Sequence, residues 1–516
     1  MSLSTKPPSL SEGSSEPRPS GSARHHLTTV SLFPELVKKT GTYSIATISG
    51  RLLSLILLPV YTRFLSPTDY GVLELLDLTV NLAGLVLGAR MGQAIFYFYF
   101  AAESKAEKEK CISTAFVCSV LLGASAVALS FVCAPLLSRL VFGTAQYVRY
   151  LQLVFLGFGL SLPLEAGYCA MRAFGDSRRF VVISLLTQLA TAAISLILLV
   201  LFHWGVLAML AAAVCGFAAA SIYVAWYLLS PVPLSVDLRL MARLLRYSVP
   251  LGVSGIAVFF VHYGDRFFLR PQVTLAELGV YSLAYKIGML VSFCHAPFVL
   301  HWNSQICKIG NGPDGEKIFA RSFTYVCAGL SMVVVALSLG ASPALKLLTT
   351  PAFRGAARVI PWIALAYLLR SAGAHIQSIF TLEGRPGLEA RVNAVGAAAC
   401  VVAYAVLVPR FKIAGAIVAT FLGFLVILIY AFAIARRLRP LPFELRTLAH
   451  IAASTSISLA VFFLIAPSGF WQQVTLAFVV TLAHCAGLFI ACALRRRGEN
   501  TIPKLRGLYP LRALRF

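Results

Sequence analysis

About fourteen apolar stretches, each some twenty residues long, succeed one another along this chain. They lie near 42–62, 71–100, 112–138, 148–172, 181–202, 205–229, 247–268, 277–304, 319–340, 357–380, 390–408, 413–435, 447–466 and 471–494. A helix needs roughly 20 apolar residues to cross a bilayer, and inside the hydrocarbon its backbone must satisfy its own N–H and C=O groups. The pattern therefore specifies an all-α, polytopic membrane protein. Composition agrees: 59% of residues are hydrophobic and 12% charged, against about 45–50% and about 25% in soluble domains. Connections are short, so no soluble domain is inserted between spans.

Charge gives the expected orientation. Lys and Arg gather in cytoplasmic loops. With both termini inside, the inner loops carry Lys105, Lys108, Lys110, Arg178, Arg179, Arg239, Arg243, Arg246, Arg436, Arg437 and others, while outer loops hold few, such as Arg63, Arg139 and Lys346. The ratio is roughly thirty to ten, and a wrong span count would scramble it. The formal charge of +24 is then orientation charge facing anionic lipid. It calls for no nucleic acid. Residues 1–30, rich in Ser, Pro and Gly, are expected to form a disordered cytoplasmic tail with no signal-peptide core. The eleven cysteines show no metal-ligand spacing and mostly fill apolar runs.

Landmarks recur about 208 residues apart. "RFLSPTDYGVLEL" (63–75) resembles "RFFLRPQVTLAELGVYSL" (266–283), aligning Gly71 with Gly279. Gly175 aligns with Gly384, and Gly216 with Gly423. The offset spans six segments, an even number, so both copies share one orientation and an axis along the membrane normal. The expected organisation is a six-helix lobe over 31–230, a second over 231–440, two further helices over 441–494 and a basic cytoplasmic tail over 495–516. Two facing bundles leave a central cavity and suit alternating access.

Four basic residues fall inside spans: Arg51, Arg90, Lys286 and Arg370. Each costs about 2.5–3.5 kcal/mol at a lipid-exposed helix centre, so such groups normally face a cavity or a partner. Glu74, Asp77 and Glu165 also lie inside spans, with Asp265 and Glu383 near span ends. Two readings stay open for the cations: cavity lining or cross-helix ion pairs. Arg90 lies nearly opposite Glu74 and Asp77 on its helix. Lys286 has no acid nearby on its own helix, and Arg370 shares its face with Gln377. In the fifth segment Ser184, Thr187, Gln188, Thr191 and Ser195 form one polar stripe, which lines a cavity or glues helices together. A cavity with net positive lining favours an anionic passenger such as a phosphate or pyrophosphate. The candidate cavity residues are Arg51, Lys286, Arg370, Gln188, Thr191 and Gln377. Candidates for gating or ion coupling are Asp77, Glu165, Asp265 and Arg266. No catalytic or metal residues are expected, since no loop carries paired carboxylates, a nucleotide-binding glycine loop or HExxH. The outer loops are also too short for a glycan polymerase or ligase.

Two stretches carry a family resemblance. "SGRLLSLILLPVYTRFLSPTDYGVLELL" (49–76) and "YGDRFFLRPQVTLAELGVYSLAYKIGML" (263–290) resemble the openings of the two halves of the polysaccharide biosynthesis/O-antigen flippase family. That family belongs to the multidrug/oligosaccharidyl-lipid/polysaccharide exporter superfamily. The resemblance implies a flippase that moves polyprenyl-(pyro)phosphate-linked oligosaccharide across the bacterial cytoplasmic membrane for surface polysaccharide assembly. It implies that Arg51 and Lys286 match basic residues of the family's cavity, and that Asp265 and Arg266 match a structural or gating pair. The lipid II branch carries further basic residues in its first helix. Arg51 stands alone here, which argues against a peptidoglycan precursor. The alternative is a cation-coupled multidrug exporter of the same fold. Expected partners are the lipid-linked glycan and membrane lipid, with polysaccharide polymerase or glycosyltransferase machinery as candidates. No cofactor is expected; proton or sodium coupling is an option that Asp77, Glu165 and Glu74 leave open.

Overall fold

The computed structural model describes residues 49–50, 53–87, 91–230, 235–310, 314–465 and 469–498, and these contain helices and connections but no strand. Of the expected tails, 1–30 lies outside the described residues, as does the basic tail beyond 498. In chain order the helices are α1 (Leu53–Phe64), α2 (Pro67–Val86), α3 (Met91–Ala101), α4 (Lys105–Phe142), α5 (Val148–Ala173), α6 (Ser177–Val200), α7 (Val206–Leu229), α8 (Leu238–Tyr263), α9 (Asp265–Leu269), α10 (Leu275–Gly288), α11 (Leu290–Gly310), α12 (Gly315–Leu348), α13 (Ile360–Leu382), α14 (Pro386–Leu438), α15 (Leu445–Ile465) and α16 (Phe470–Gly498). A 3-10 turn, Pro351–Arg358, leads into α13 with a bend of 46°.

Among the described residues, eleven helices are long and apolar enough to span a membrane, or twelve when the bent pair at α13 is one span. Two local facts reconcile this with the fourteen apolar stretches. α14 is two helices run together across Lys412, whose φ of 50° and ψ of −126° break the helical path. α1 is the described part of the first stretch and is too short to meet the length requirement alone.

The landmarks 208 residues apart adopt matched local geometry. Ser66 caps α2 in a reciprocal box with Asp69, and Thr274 caps α10 in the same way with Glu277. Such boxes satisfy backbone N–H groups that a helix start leaves open. Gly175 and Gly384 both take the left-handed conformation, with φ of 78° and 65°. Each ends a helix with matching hydrogen bonds, Asp176 N–H to Met171 O and Arg385 N–H to Phe380 O. Gly205 (φ 55°, ψ −128°) has its counterpart in Lys412. Gly216 packs on Thr191, and Gly423 on Cys400. Small residues let membrane helices approach closely, where packing rather than water exclusion holds them.

The two copies meet where α2 crosses α10. A Cβ on Gly71 would collide with Leu275 O, and one on Gly279 with Pro67 O, so the crossing is reciprocal backbone contact. Further ties close this end. Thr62 Oγ1 donates to Leu348 O and Thr350 Oγ1 to Thr62 O, each at 3.3 Å. Arg270 Nη2 donates to Phe142 O at 2.6 Å.

At the opposite end α3 and α4 meet α8. Tyr97 stacks on Tyr247 with ring centroids 4.8 Å apart, and Lys110 pairs with Asp237 at 2.9 Å. Asp237 precedes the span of α8. The Lys110 ammonium and the Leu240 and Arg239 N–H groups hold its carboxyl down at about 2. A depressed carboxyl contributes stability above its unfolded value of about 3.9 and loses it as pH falls through the folded value. The effect of Lys110→Met on thermal stability is therefore expected to be the same at pH 5 and pH 8. A clear change between those two pH values would count against the pairing.

Candidate functional site

A cavity of about 470 Å³ lies between the two copies, walled by α2, α5, α8 and α10. Its charged groups come from three places. α2 offers Glu74 and, one turn on, Asp77 on the same face. Arg266 stands in the short α9 behind α8, and α10 contributes Lys286.

The geometry divides these groups into an anchor and a reachable cation. Arg266 is 1% exposed and its partners Asp265 and Glu74 are 0% and 4% exposed. Its Nη1 meets Asp265 Oδ1 at 2.7 Å and its Nε lies 3.4 Å from Glu74 Oε1. Its guanidinium lies over the Tyr285 ring, 3.7 Å from the centroid. Nη1 also donates to His262 O at 3.1 Å, and Tyr281 O–H donates to the other oxygen of Asp265. Burial without such partners would be prohibitive for an ion. Lys286 differs. Its Nζ touches Glu74 Oε2 at 2.9 Å, yet its side chain is 61% exposed toward the cavity. Asp77 is exposed there too and makes no ion pair among the described residues.

Among the described lining residues, two carboxylates (Glu74, Asp77) face two cations (Arg266, Lys286). Among the described residues the lining is thus balanced in charge, while Arg51, expected in the same cavity, lies outside them. The physical reason is cross-helix pairing: Glu74 pairs with both Arg266 and Lys286, and Asp265 pairs with Arg266 through Nη1. Both open readings of Lys286 hold at once, since it is an ion-pair partner and a cavity group.

The other candidates lie elsewhere. Arg51 and Arg90 are outside the described residues. Gln188 and Thr191 do not line this cavity. Gln188 Nε2 donates to Ser184 Oγ at 3.0 Å, and Gln188 Oε1 accepts from Ser49 Oγ at 3.5 Å. Thr191 abuts Gly216. In the same stripe, Ser195 and Tyr61 hydroxyls meet at 2.8 Å, and those of Thr187 and Tyr168 at 3.3 Å. The stripe glues α6 to its neighbours. Glu165 pairs with Arg172 on its own helix at 3.3 Å. Arg370 and Gln377 sit on α13, apart from the cavity lining. Sequence reasoning missed the double role of Glu74. Its one available signal was its spacing of three residues from Asp77. No group of three or more His, Cys, Asp or Glu side chains suited to a metal occurs among the described residues.

Known proteins share this architecture. A lipid II flippase MurJ, in an inward closed conformation, superposes with a TM-score of 0.70 at 13% identity, over 88% of this chain and 99% of that one. An inward-facing multidrug resistance MATE family transporter of the MOP superfamily gives 0.63 at 16%, over 77% and 97%. A MOP superfamily transporter from Pyrococcus furiosus, noted for reversed polarity of its binding pocket, gives 0.54 at 16%, over 76% and 93%. At these identities the likeness is one of fold. No curated protein matches the sequence. The family model described as "Polysaccharide biosynthesis protein" matches residues 36–301. That match takes in more than half the chain, including α2 and α10 with their crossing glycines, and so this multi-pass membrane protein belongs to the polysaccharide biosynthesis protein family.

Proposed function

We propose that the chain is a flippase for polyprenyl-(pyro)phosphate-linked oligosaccharide in the bacterial cytoplasmic membrane, and not an enzyme. The observation that carries this reading is Lys286: a cation on a wall of the central cavity, 61% exposed, held by a carboxylate that has a second partner. A phosphate oxygen arriving in the cavity can take the Lys286 ammonium, because Glu74 keeps Arg266. The exchange replaces one charge-assisted contact by another and strands no buried ion. Arg51, in the first stretch, is proposed to meet the same headgroup. The polyprenyl tail stays in lipid while the lobes at 31–230 and 231–440 rock against each other, closing and parting the crossing of α2 and α10. Both termini are cytoplasmic in this scheme, and sugar-polymerising machinery takes the product.

Asp77 supports a second reading, a cation-coupled exporter, because it is an exposed cavity carboxylate without an ion pair among the described residues. Drug-efflux assays in a sensitive host separate the two: resistance conferred by the chain with no effect on surface glycan would favour the exporter.

The test of the flippase reading is surface glycan in the native host. Lys286→Ala is expected to lower export about tenfold or more, the scale of one lost hydrogen bond to a charged group. Lys286→Arg is expected to restore much of it. Export at the wild-type level with alanine in place would reject this role for the cavity cation.

A further inference from the structure

We propose that Asp77 forms a sugar subsite in the central cavity, next to the phosphate position at Lys286, and that it admits a neutral, hydroxyl-bearing ring there over an acidic one. This inference deepens the flippase reading and rests on it. It starts from the order of groups along one face of α2. Glu74, Asp77 and Asn81 all line the cavity. A helix rises 1.5 Å per residue, so Asp77 stands about 4.5 Å and Asn81 about 10.5 Å along the axis from Glu74. Glu74 Oε2 holds Lys286 Nζ at 2.9 Å, which fixes the cation at one end of this row. A phosphate bound there, with one pyranose ring attached, has a comparable length.

Asp77 has the chemistry that such a ring calls for. It is exposed to the cavity and makes no ion pair among the described residues. An ionised carboxylate only accepts, and its two oxygens can take two neighbouring hydroxyls in short, charge-assisted bonds. Asn81 Nδ2 donates to the backbone oxygen of Asp77 at 2.8 Å, which leaves its carbonyl oxygen and a second N–H for a further hydroxyl. Half-buried rings complete the walls, Tyr263 from α8 and Phe158 from α5. The Arg266 guanidinium lies 5.6 Å from the Tyr263 ring centre, so that ring stands at the phosphate end. Aromatic surface with a few placed polar groups is the usual make-up of a small-molecule site. Here it suits the C–H side and the hydroxyl side of one sugar.

Charge decides the class of sugar. A carboxylate on the ring, as in a uronic acid, would meet the like charge of Asp77, and such repulsion is a common means of excluding a competitor. A bare cation at Asp77 is opposed by Lys286 one turn away. Neutral hydroxyls meet neither penalty. The volume of about 470 Å³ falls in the usual range of roughly 300–1,000 Å³, and takes a phosphate with its adjoining sugar rather than a whole oligosaccharide.

The experiment uses the full chain in nanodiscs of neutral lipid, with empty nanodiscs as the blank. The probes are a short polyprenyl phosphate, the same lipid carrying glucose, and the same lipid carrying glucuronic acid, and surface plasmon resonance reads their affinities. In wild type the glucosyl lipid is expected to bind about tenfold or more tightly than the bare phosphate, the scale of one hydrogen bond to a charged group. The glucuronosyl lipid is expected to lose that gain. Asp77→Ala is expected to bring the ratio of glucosyl to bare phosphate affinity close to one, and Asp77→Asn to end the discrimination between the two sugars. Bare phosphate bound with no gain from glucose overturns the sugar subsite and leaves the flippase reading standing. No binding of any probe, or binding that is unchanged in Lys286→Ala, overturns that reading and this inference with it. A ratio that survives Asp77→Ala overturns the role of Asp77. Should Asp77→Ala not fold, Asp77→Asn decides: loss of the discrimination supports the proposal, and its persistence overturns it.

Discussion

Arg266→Ala is expected to lose about 3–5 kcal/mol of stability, the cost typical of removing one partner from a buried ion pair. Two carboxylates depend on this guanidinium, and both are almost wholly buried. Lys286 can continue to serve Glu74, but Asp265 keeps only the Tyr281 hydroxyl. A carboxylate in that position must take up a proton or admit water, and each disrupts the packing of α9 against α14. Thermal unfolding and the yield of monodisperse protein measure the loss. Arg266→Lys is expected to fall between, since an ammonium keeps the charge and gives up the planar fork and the stack on Tyr285. Lys286→Ala provides the contrast. Its side chain is exposed, and Glu74 retains Arg266, so its stability cost is expected to stay near that of a surface pair, about 1 kcal/mol or less. Export and stability are thus expected to separate at these two residues. A Tm for Arg266→Ala within a degree or two of wild type would overturn the anchor assignment.

The spans were legible because the hydrocarbon imposes one rule on every segment: be apolar for some twenty residues and satisfy the backbone locally. The repeat was legible at glycines for a related reason. Gly175 and Gly384 take a left-handed φ that suits glycine, and Gly71 and Gly279 leave no space for a side chain. Lys412 hides the corresponding turn at Gly205, since a lysine in that conformation gives no signal in sequence. Partnering was not legible. Glu74 and Lys286 stand in different halves of the chain, and no periodicity on either helix says that those faces meet. The stripe Ser184–Ser195 was legible as a face, while its use was decided by Tyr61, Tyr168 and Gly216 on neighbouring helices.

Gly71→Leu is expected to reduce export roughly 5- to 150-fold, the consequence of an overpacking cost of about 1–3 kcal/mol borne by one conformation only. The argument starts from reciprocity. Each glycine presses on backbone carbonyl oxygen of the opposite helix, Leu275 O for Gly71 and Pro67 O for Gly279. Backbone cannot swing aside as a flexible side chain does, so a larger residue must separate α2 from α10. The ties of Thr62 to Leu348 and Thr350 lie at the same end and would part with them. Under alternating access this crossing is the seal on one side of the membrane, and a variant that cannot form it populates the state open on that side. Gly279→Leu is expected to act alike, because the contact is symmetric. The double variant should be far less than additive, since one wedge already holds the helices apart. The readout is labelling of a cysteine at Asn81, a cavity position, by a membrane-impermeant maleimide applied from outside. Faster labelling in Gly71→Leu, together with lost export and an unchanged Tm, is the outcome that a gate requires. Lost export with a matching fall in Tm and unchanged labelling would make the glycines packing residues only, and the rocking motion would need a different seal.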